Sequence, residues 1–566
     1  MLRRYWWLLP LALCAALYAP TLTNGFLADD YTYLVSLGWW AEDGEVMARV
    51  LANFVGGIDA GSYYYRPLPI ATFALNFAAG GADPVGWRSV NLGLHLACAA
   101  ALAAIAAGFG RRPGAPVEAR VAFGAAVAAA IFALSPAAPE VAAWVSGRFD
   151  ALALFFMLVA LLCFQRSARW NDRPGLGGLA AAVGALASKE SATLLPVLVL
   201  ALAVAPSGAL RAAPATGAGP LGVAARATAR ATPWFLLLTA YFGWRIALFG
   251  TPFRVYPYSE PVAALVGGDW LATLGSAAQW LQATLPDPAA RTLFGVALAV
   301  SVGLGGAWCL ALRAGRLPWL ALAGALAAAV VLPLLQVRAL DPLGESGRLF
   351  YVAAAALGLL VAAPCALAEP GRPWLWHRAL RGVFVAATLL AVAAEAVLLH
   401  AALATWRTAG TQSKQLVAEL ARLPARIPAD GYGFVLVPDR IGGVPFGRLA
   451  QGGLTLPPVQ PVSLLPRLVV QTENDLAPWP ENIRRGVVDA LKRYPPREVW
   501  PAVAAGRVTP GGVPTDFHCW DSVDARLVAL PLVLPSPMTG EAWLAAWKTA
   551  LTASACRDLA PLVPDR

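Results

Sequence analysis

Charge is what this sequence has least of. Only 13% of its 566 residues are Asp, Glu, Lys or Arg, against 58% hydrophobic residues and a mean hydropathy of +0.60. Soluble globular chains carry about 25% charged residues, so the chain as a whole reads as an integral membrane protein. Cysteine is sparse too. The seven cysteines show no CxxC or Cys/His spacing, which argues against zinc or thiol chemistry. Five of them lie in apolar segments, while Cys519 and Cys556 fall in the tail and are open to pairing in an oxidising compartment. No A-x-A cleavage site follows the first apolar run, which therefore reads as an anchor and not as a removed signal. The net charge of +10 raises the question of a nucleic-acid partner. Its basic residues gather in short loops between apolar runs, and the positive-inside rule accounts for them with no nucleic acid involved.

What is present is a series of apolar runs near the length of a membrane span. About eleven are legible, at 5–22, 85–109, 118–135, 141–165, 175–188, 190–206, 231–249, 289–312, 317–336, 347–368 and 379–403. The fifth and sixth are short and read equally as one broken unit. With Arg3 and Arg4 inside, the even-numbered connections are cytoplasmic: "RRPGAPVEAR", "QRSARWNDRP", the loop with Arg211, Arg226 and Arg230, "RAGR", and "GRPWLWHRALR". All five are basic, as the rule requires. The odd-numbered connections and the tail are then extracytoplasmic. Two outer loops are long, 23–84 and 250–288. Each carries a Trp-bearing helical pattern that suits a membrane interface or, on the plainer reading, a loop helix packed on the bundle: Trp39, Trp40, Val46, Met47, Val50, Leu51 and Phe54 in the first, and Trp270, Leu271, Leu274, Leu281 and Leu285 in the second. From 404 to 566 the chain changes character. Charged helical stretches ("SKQLVAELARL", "ENIRRGVVDALKR", "GEAWLAAWKTAL") alternate with short strand-like runs ("YGFVLVPD", "RLVVQT", "ARLVALPLVL"). This predicts a transmembrane region over 1–403 and a C-terminal extracytoplasmic α/β domain.

Polar residues at membrane level are costly, so each is a functional candidate, and here they fall on one side. The first outer loop holds "GFLADDYTYL", with Asp29 and Asp30, and "YYYRPL", with Arg66. Later outer connections bring Glu140, Arg148 and Asp150; Lys189 and Glu190; and Arg338, Asp341, Glu345, Arg348 and Tyr351. Outside the cytoplasm there is no supply of ATP or nucleotide sugars, so an activated sugar must arrive attached to a lipid phosphate. Transfer to a hydroxyl needs a base, which a carboxylate can be. It also needs fixed positive charge where the leaving phosphate gains charge, and Arg and Lys supply that. Each residue has a plainer reading as well. The aspartates suit a helix cap, Arg148–Asp150 and Lys189–Glu190 suit structural ion pairs, Arg66 suits a headgroup anchor, and His95 and Glu395 suit interhelical contacts.

Five motifs in order, "ADDY", "YRPLPIATFALN" with "GWRSVNLGLH", "LSPAAPEVAAWVSGRFD", "SKESATLL" and "GRLFYVA", resemble those of GT-C-type membrane glycosyltransferases that use lipid-phosphate sugars. The likeness is to the transmembrane O-mannosyltransferases with tetratricopeptide repeats and their bacterial relatives, and it covers the first 400 residues. It implies a GT-C-like fold and an inverting transfer of one sugar from a polyprenyl-phosphate donor to an extracytoplasmic hydroxyl, on protein Ser/Thr or on a cell-envelope glycan or lipid. By motif position Asp29 is the base with Asp30 supporting. Arg66, Arg148, Lys189, Arg348 and Tyr351 contact the donor, and Glu140, Asp150 and Glu190 are positioning acids. Neighbours on a helix do not share a face, so one aspartate of the pair points to the acceptor. The sequence departs from the pattern at Ser135 and Ala138, where the family has histidines, and at Gly347, where it has Glu. The repeats are absent, so neither mannose nor a protein acceptor carries over. No cofactor is implied beyond the lipid-linked donor, and a divalent metal is not indicated. The expected location is the bacterial cytoplasmic membrane, N-terminus inside, with membrane lipid and an unknown acceptor as partners. The rival class is a flippase or transporter of lipid-linked glycans, for which paired broken helices in internal repeats are the discriminating feature; none is found.

Overall fold

The computed structural model describes residues 5–56, 64–110, 117–167, 172–204, 220–252, 287–334, 347–367, 378–427, 432–450, 452–465, 467–473, 515–532 and 540–563. Five expectations lie outside them in whole or part: Arg3 and Arg4, the interfacial pattern from Trp270 to Leu285, the helix "ENIRRGVVDALKR", most of the basic connecting loops, and the triplet Arg338, Asp341 and Glu345.

Where described, the apolar runs are largely helical; the run 141–165 is broken at Trp144, between the short helix Pro139–Ala142 and the stretch Val145–Arg166. Among the described residues five helical stretches are long and apolar enough to cross a membrane: Pro84–Gly110, Val145–Arg166, Pro288–Ala311, Gly347–Leu367 and Arg378–Ala425. The protein is thus a multi-pass membrane protein. Shorter apolar helices include Leu8–Tyr18, Ala119–Ala133 and Leu195–Ala203. Packing depends on small residues, as is usual where lipid removes the hydrophobic drive between helices. A Cβ on Gly124 would meet Cys365 Cβ at 2.9 Å, and one on Gly358 would meet the Ala128 carbonyl at 2.7 Å, so helices Ala119–Ala133 and Tyr351–Leu367 approach backbone to backbone.

Three elements differ from the sequence expectation. The segment 23–84, expected to be an outer loop, does not carry one amphipathic helix: Asp30–Glu42 and Val46–Gly56 are separate, broken at Gly44, whose φ of +70° a side chain would resist. That loop also contains an apolar helix, Pro67–Gly80, opened by a proline at the position where its fixed φ suits a helix start. The last span and the first helix of the tail are one 45-residue helix, Arg378–Arg422. Its Ala, Leu and Glu content gives no local stop signal.

Contacts divide the chain into two compact units: Met1–Pro20 with Val50–Thr72 and Arg88–Ala404, and Thr21–Arg49 with Phe73–Trp87 and Thr405–Arg566. The second unit is centred on a sheet in the order β4-β1-β5-β6. Here β1 is Tyr432–Val437, β4 is Leu468–Thr472, β5 is Thr515–Asp521 and β6 is Arg526–Ala529; the short β2 (Arg440–Ile441) and β3 (Val444–Pro445) form a separate hairpin. β1 runs parallel to β4 and β5, and β6 closes the edge antiparallel. Helix Gly540–Thr552 covers one face, where Trp547 packs on Phe434 and Phe517 at ring distances of 5.3 and 5.7 Å. Cys519 and Cys556 form a disulfide in this core, across 37 residues.

Candidate functional site

The first unit gathers a row of charges from segments far apart in sequence. Arg66, just before helix Pro67–Gly80, places its Nη2 2.8 Å and its Nε 3.0 Å from Glu190 Oε2. Arg245 approaches the other oxygen of the same carboxylate, 3.7 Å from Oε1. The Arg66 guanidinium also lies over Tyr64 at 4.2 Å and Phe149 at 5.4 Å. Lys189 Nζ donates to Asp150 Oδ2. Glu140 Oε2 accepts the Arg348 amide at 3.0 Å, and its Oε1 lies 3.3 Å from Arg348 Nε. These pairs belong to helix ends that touch: Pro139–Ala142, Arg148–Arg166, Glu190–Leu194 and Gly347–Phe350.

Exposure separates roles within the row. Arg148 is fully buried and donates to Asn91 Oδ1 at 2.7 Å and to the Thr72 carbonyl at 3.3 Å. It ties helix ends together. Tyr351 is also buried, with its hydroxyl 2.8 Å from His95 Nδ1; His95 Nε2 faces the Ala133 carbonyl at 3.1 Å. A carbonyl only accepts, so Nε2 carries the ring proton and the Tyr351 hydroxyl donates to Nδ1. The Arg348 side chain is 26% exposed, against 11% for Arg66 and 9% for Lys189, and is the most accessible of these three cations. Five cations (Arg66, Arg148, Lys189, Arg245, Arg348) stand against three carboxylates (Glu140, Asp150, Glu190), leaving the row positive among the described residues. Each carboxylate is bonded to a cation, so the acids position the basic groups while the surplus charge favours an anion.

Gly347 explains one departure from the family pattern. A Cβ there would meet the Ala137 carbonyl at 2.8 Å and Glu140 Oε2 at 2.9 Å, so the Glu140 carboxylate fills the space a larger residue would take. Gly147 is held similarly, its would-be Cβ lying 2.5 Å from the Glu140 carbonyl. Arg245 was not singled out from the sequence. It sits near the end of helix Pro220–Phe249, and its only sequence signal is a cation close to the C-terminal end of an apolar run.

The acidic pair belongs to the second unit. Asp29 occupies the N-cap position of helix Asp30–Glu42, with no side-chain cap bond. Asp30 is 1% exposed, and its Oδ2 accepts the Leu27 amide at 3.1 Å. Asp29 is half-buried. The two aspartates thus differ: Asp30 is enclosed and bonded to the backbone, while Asp29 is only half-buried, with its Oδ1 shielded from solvent. Ala28, before them, has φ +49°, a left-handed conformation that costs energy for any residue with a Cβ. Among the described residues no three His, Cys, Asp or Glu side chains converge as metal ligands would.

No family model matches. The sequence is similar to protein O-mannosyl-transferase Tmtc1 of Drosophila melanogaster, with 33% identity over 159 residues. The likeness is to a sugar transferase. It spans 27% of this chain and 17% of that relative. Among solved structures, ArnT from Cupriavidus metallidurans bound to undecaprenyl phosphate is similar over 92% of this chain and 93% of its own, at 14% identity and a TM-score of 0.42. Its apo form gives 15% and 0.39. The resemblance to the transmembrane O-mannosyltransferases read from the motifs is therefore found again by direct sequence comparison.

Proposed function

We propose that the protein is a GT-C-type membrane glycosyltransferase that moves one sugar from a polyprenyl-phosphate donor to an extracytoplasmic hydroxyl, with inversion at the anomeric carbon. The observation that carries this reading is the split between the aspartates: Asp30 is enclosed and bonded to a backbone amide, while Asp29 is only half-buried and makes no cap bond to its own helix. In this mechanism the acceptor hydroxyl attacks the anomeric carbon and gives its proton to the Asp29 carboxylate. The bond to the phosphate oxygen breaks, and the leaving polyprenyl phosphate takes the electron pair. Within the first unit, Arg348, Arg66 and Lys189 are the cations whose chemistry suits a leaving phosphate, and Arg245 shares Glu190 with Arg66 so that neither guanidinium is neutralised outright. The likeness to Tmtc1 supports the transferase class. The basic loops support an N-terminus inside, and the Cys519–Cys556 disulfide supports an oxidising compartment for the tail, as in a bacterial periplasm. The acceptor and the sugar belong to the experiment.

The test uses purified protein in nanodiscs with a panel of radiolabelled polyprenyl-phosphate hexoses and pentoses, following release of polyprenyl phosphate. Turnover with one donor, lowered about a hundredfold or more in Asp29→Asn with donor binding intact, is the expected result. A loss confined to Asp30→Asn moves the base one residue along. Donor binding with no release by any protein, across a range of acceptors, overturns the reading in favour of a carrier of lipid-linked sugars.

A further inference from the structure

The acidic segment is held by the C-terminal region of the chain through bonds to backbone atoms, nearly all from residues about 380 to 420 positions away. Asn24 Nδ2 donates to the Trp406 carbonyl at 3.0 Å, and the Gly25 amide to the Gly410 carbonyl at 2.9 Å. The Ser413 hydroxyl donates to the Phe26 carbonyl at 2.6 Å. Its one proton is thereby used, so the Tyr31 hydroxyl, which also bonds to Ser413 Oγ, is the donor in that contact. The Ala28 amide donates to the Phe446 carbonyl at 3.0 Å, and Thr32 Oγ1 to the Leu449 carbonyl at 2.7 Å. Residues 24–32 are bracketed on both sides of Asp29.

Two further observations show that this bracket imposes a conformation. Ala28 and Leu449 both take left-handed backbone angles, φ +49° and +58°, although neither is glycine. Such angles persist only where the surroundings over-determine them, and each of these residues makes one of the bracketing bonds. The approach is also close. A Cβ on Gly410 would lie 2.4 Å from Asn24 Cβ, one on Gly453 would lie 2.5 Å from Tyr31 Cβ, and one on Gly38 would lie 2.9 Å from the Pro458 ring. Val35 packs with Leu456 and Leu465, extending the contact along helix Asp30–Glu42.

We propose that the C-terminal region is the positioning element for Asp29. Ser413, with the carbonyls of Phe446 and Leu449, fixes the strained turn at Ala28 and so sets where the Asp29 carboxylate stands. The role in turnover rests on the function proposed above; the clamp itself does not. Ser413, Tyr31 and Thr32 are positioning residues, since none of them is assigned to substrate.

Two readouts keep the clamp and the function separate. In the purified full-length protein, amide hydrogen exchange over residues 26–33 is compared for wild type, Ser413→Ala, Ser413→Thr and Thr32→Val. Release of polyprenyl phosphate from the donor found active is then measured for the same set. The expected result is exchange at least about tenfold faster over 26–33 in Ser413→Ala and Thr32→Val, with strands β1, β4 and β5 unchanged. In turnover, kcat falls about tenfold at constant KM for donor, and Ser413→Thr, which keeps the hydroxyl, retains more activity than Ser413→Ala. Unchanged exchange over 26–33 overturns the clamp, and so does faster exchange spread equally through the sheet, which is unfolding of the region. Faster local exchange with kcat unaltered overturns the positioning role. If wild type turns over no donor, the function fails while the exchange data still decide the clamp.

Discussion

The charged row and the acidic segment are built on opposite plans. In the row, carboxylates meet cations: Glu190 meets Arg66 and Arg245, Asp150 meets Lys189, and Glu140 meets Arg348. In the acidic segment Asp30 is satisfied by a backbone amide, and the chain around it by carbonyls and hydroxyls. The row holds its shape through charge, so removing one partner leaves another charge stranded. The segment holds its shape through backbone, so the half-buried Asp29 carboxylate can be replaced there with little effect on the frame. A group that must change protonation during a reaction is better placed in the second kind of setting than in the first.

The comparison can be broken where it is strongest. Asp150→Asn leaves Lys189 buried without its counter-charge, a loss of about 3–5 kcal/mol, whereas Asp29→Asn should shift the thermal midpoint in detergent hardly at all. Equal shifts for both would remove the distinction. The sheet that carries the clamp comes next. Cys519→Ser with Cys556→Ser opens a 37-residue loop and should lower the stability of the tail by about 3–4 kcal/mol, read as its denaturation midpoint in guanidinium, with the row's own unfolding unmoved. Gly347→Ala is a smaller probe of the row. Its Cβ would press on the Ala137 carbonyl and Glu140 Oε2, at a cost of about 1–3 kcal/mol, and should raise KM for donor more than it lowers kcat.

The smallest effect is in pH. Burial pushes the His518 imidazole below its ordinary value, and Asp516 opposes this in part. Protonation is then harder in the folded tail than in the unfolded chain. The stability contributed by neutral His518 is full above the unfolded value of about 6.5, declines as pH falls through it, and is gone below the depressed folded value. The wild-type tail should therefore lose stability on acidification from pH 7 more steeply than His518→Gln, as measured by urea unfolding. Identical slopes would remove His518 from the account.

Helical spans were legible because a membrane demands long apolar runs, and the described parts of those runs are largely helical. Three of the four sheet strands were legible for a similar reason, as short apolar β-branched stretches. The fourth, Thr515–Asp521, was not, since "TDFHCWD" has polar residues at both ends and takes its place only by pairing with β1. Continuity of helix Arg378–Arg422 was hidden because composition changes where the backbone does not. At the site, the residue types were readable and the pairings were not. Arg245 and Glu190 are 55 positions apart with no shared periodicity, and only the fold brings them together. The difference between Asp29 and Asp30 was expected from helix geometry, but which of the two is enclosed depends on Leu27, and that is a contact.

The separation in sequence between the clamp's two halves has a consequence for synthesis. Asn24 and Tyr31 reach their partners Trp406 and Ser413 across 382 residues. At roughly 5–20 residues per second, about 20–80 s pass between the emergence of the acidic segment and the arrival of what holds it. Through that interval the nascent chain threads helix after helix into the bilayer with its acidic turn unformed, so a ribosome that stalls before the last helix leaves behind a protein with its spans inserted and its aspartates unset.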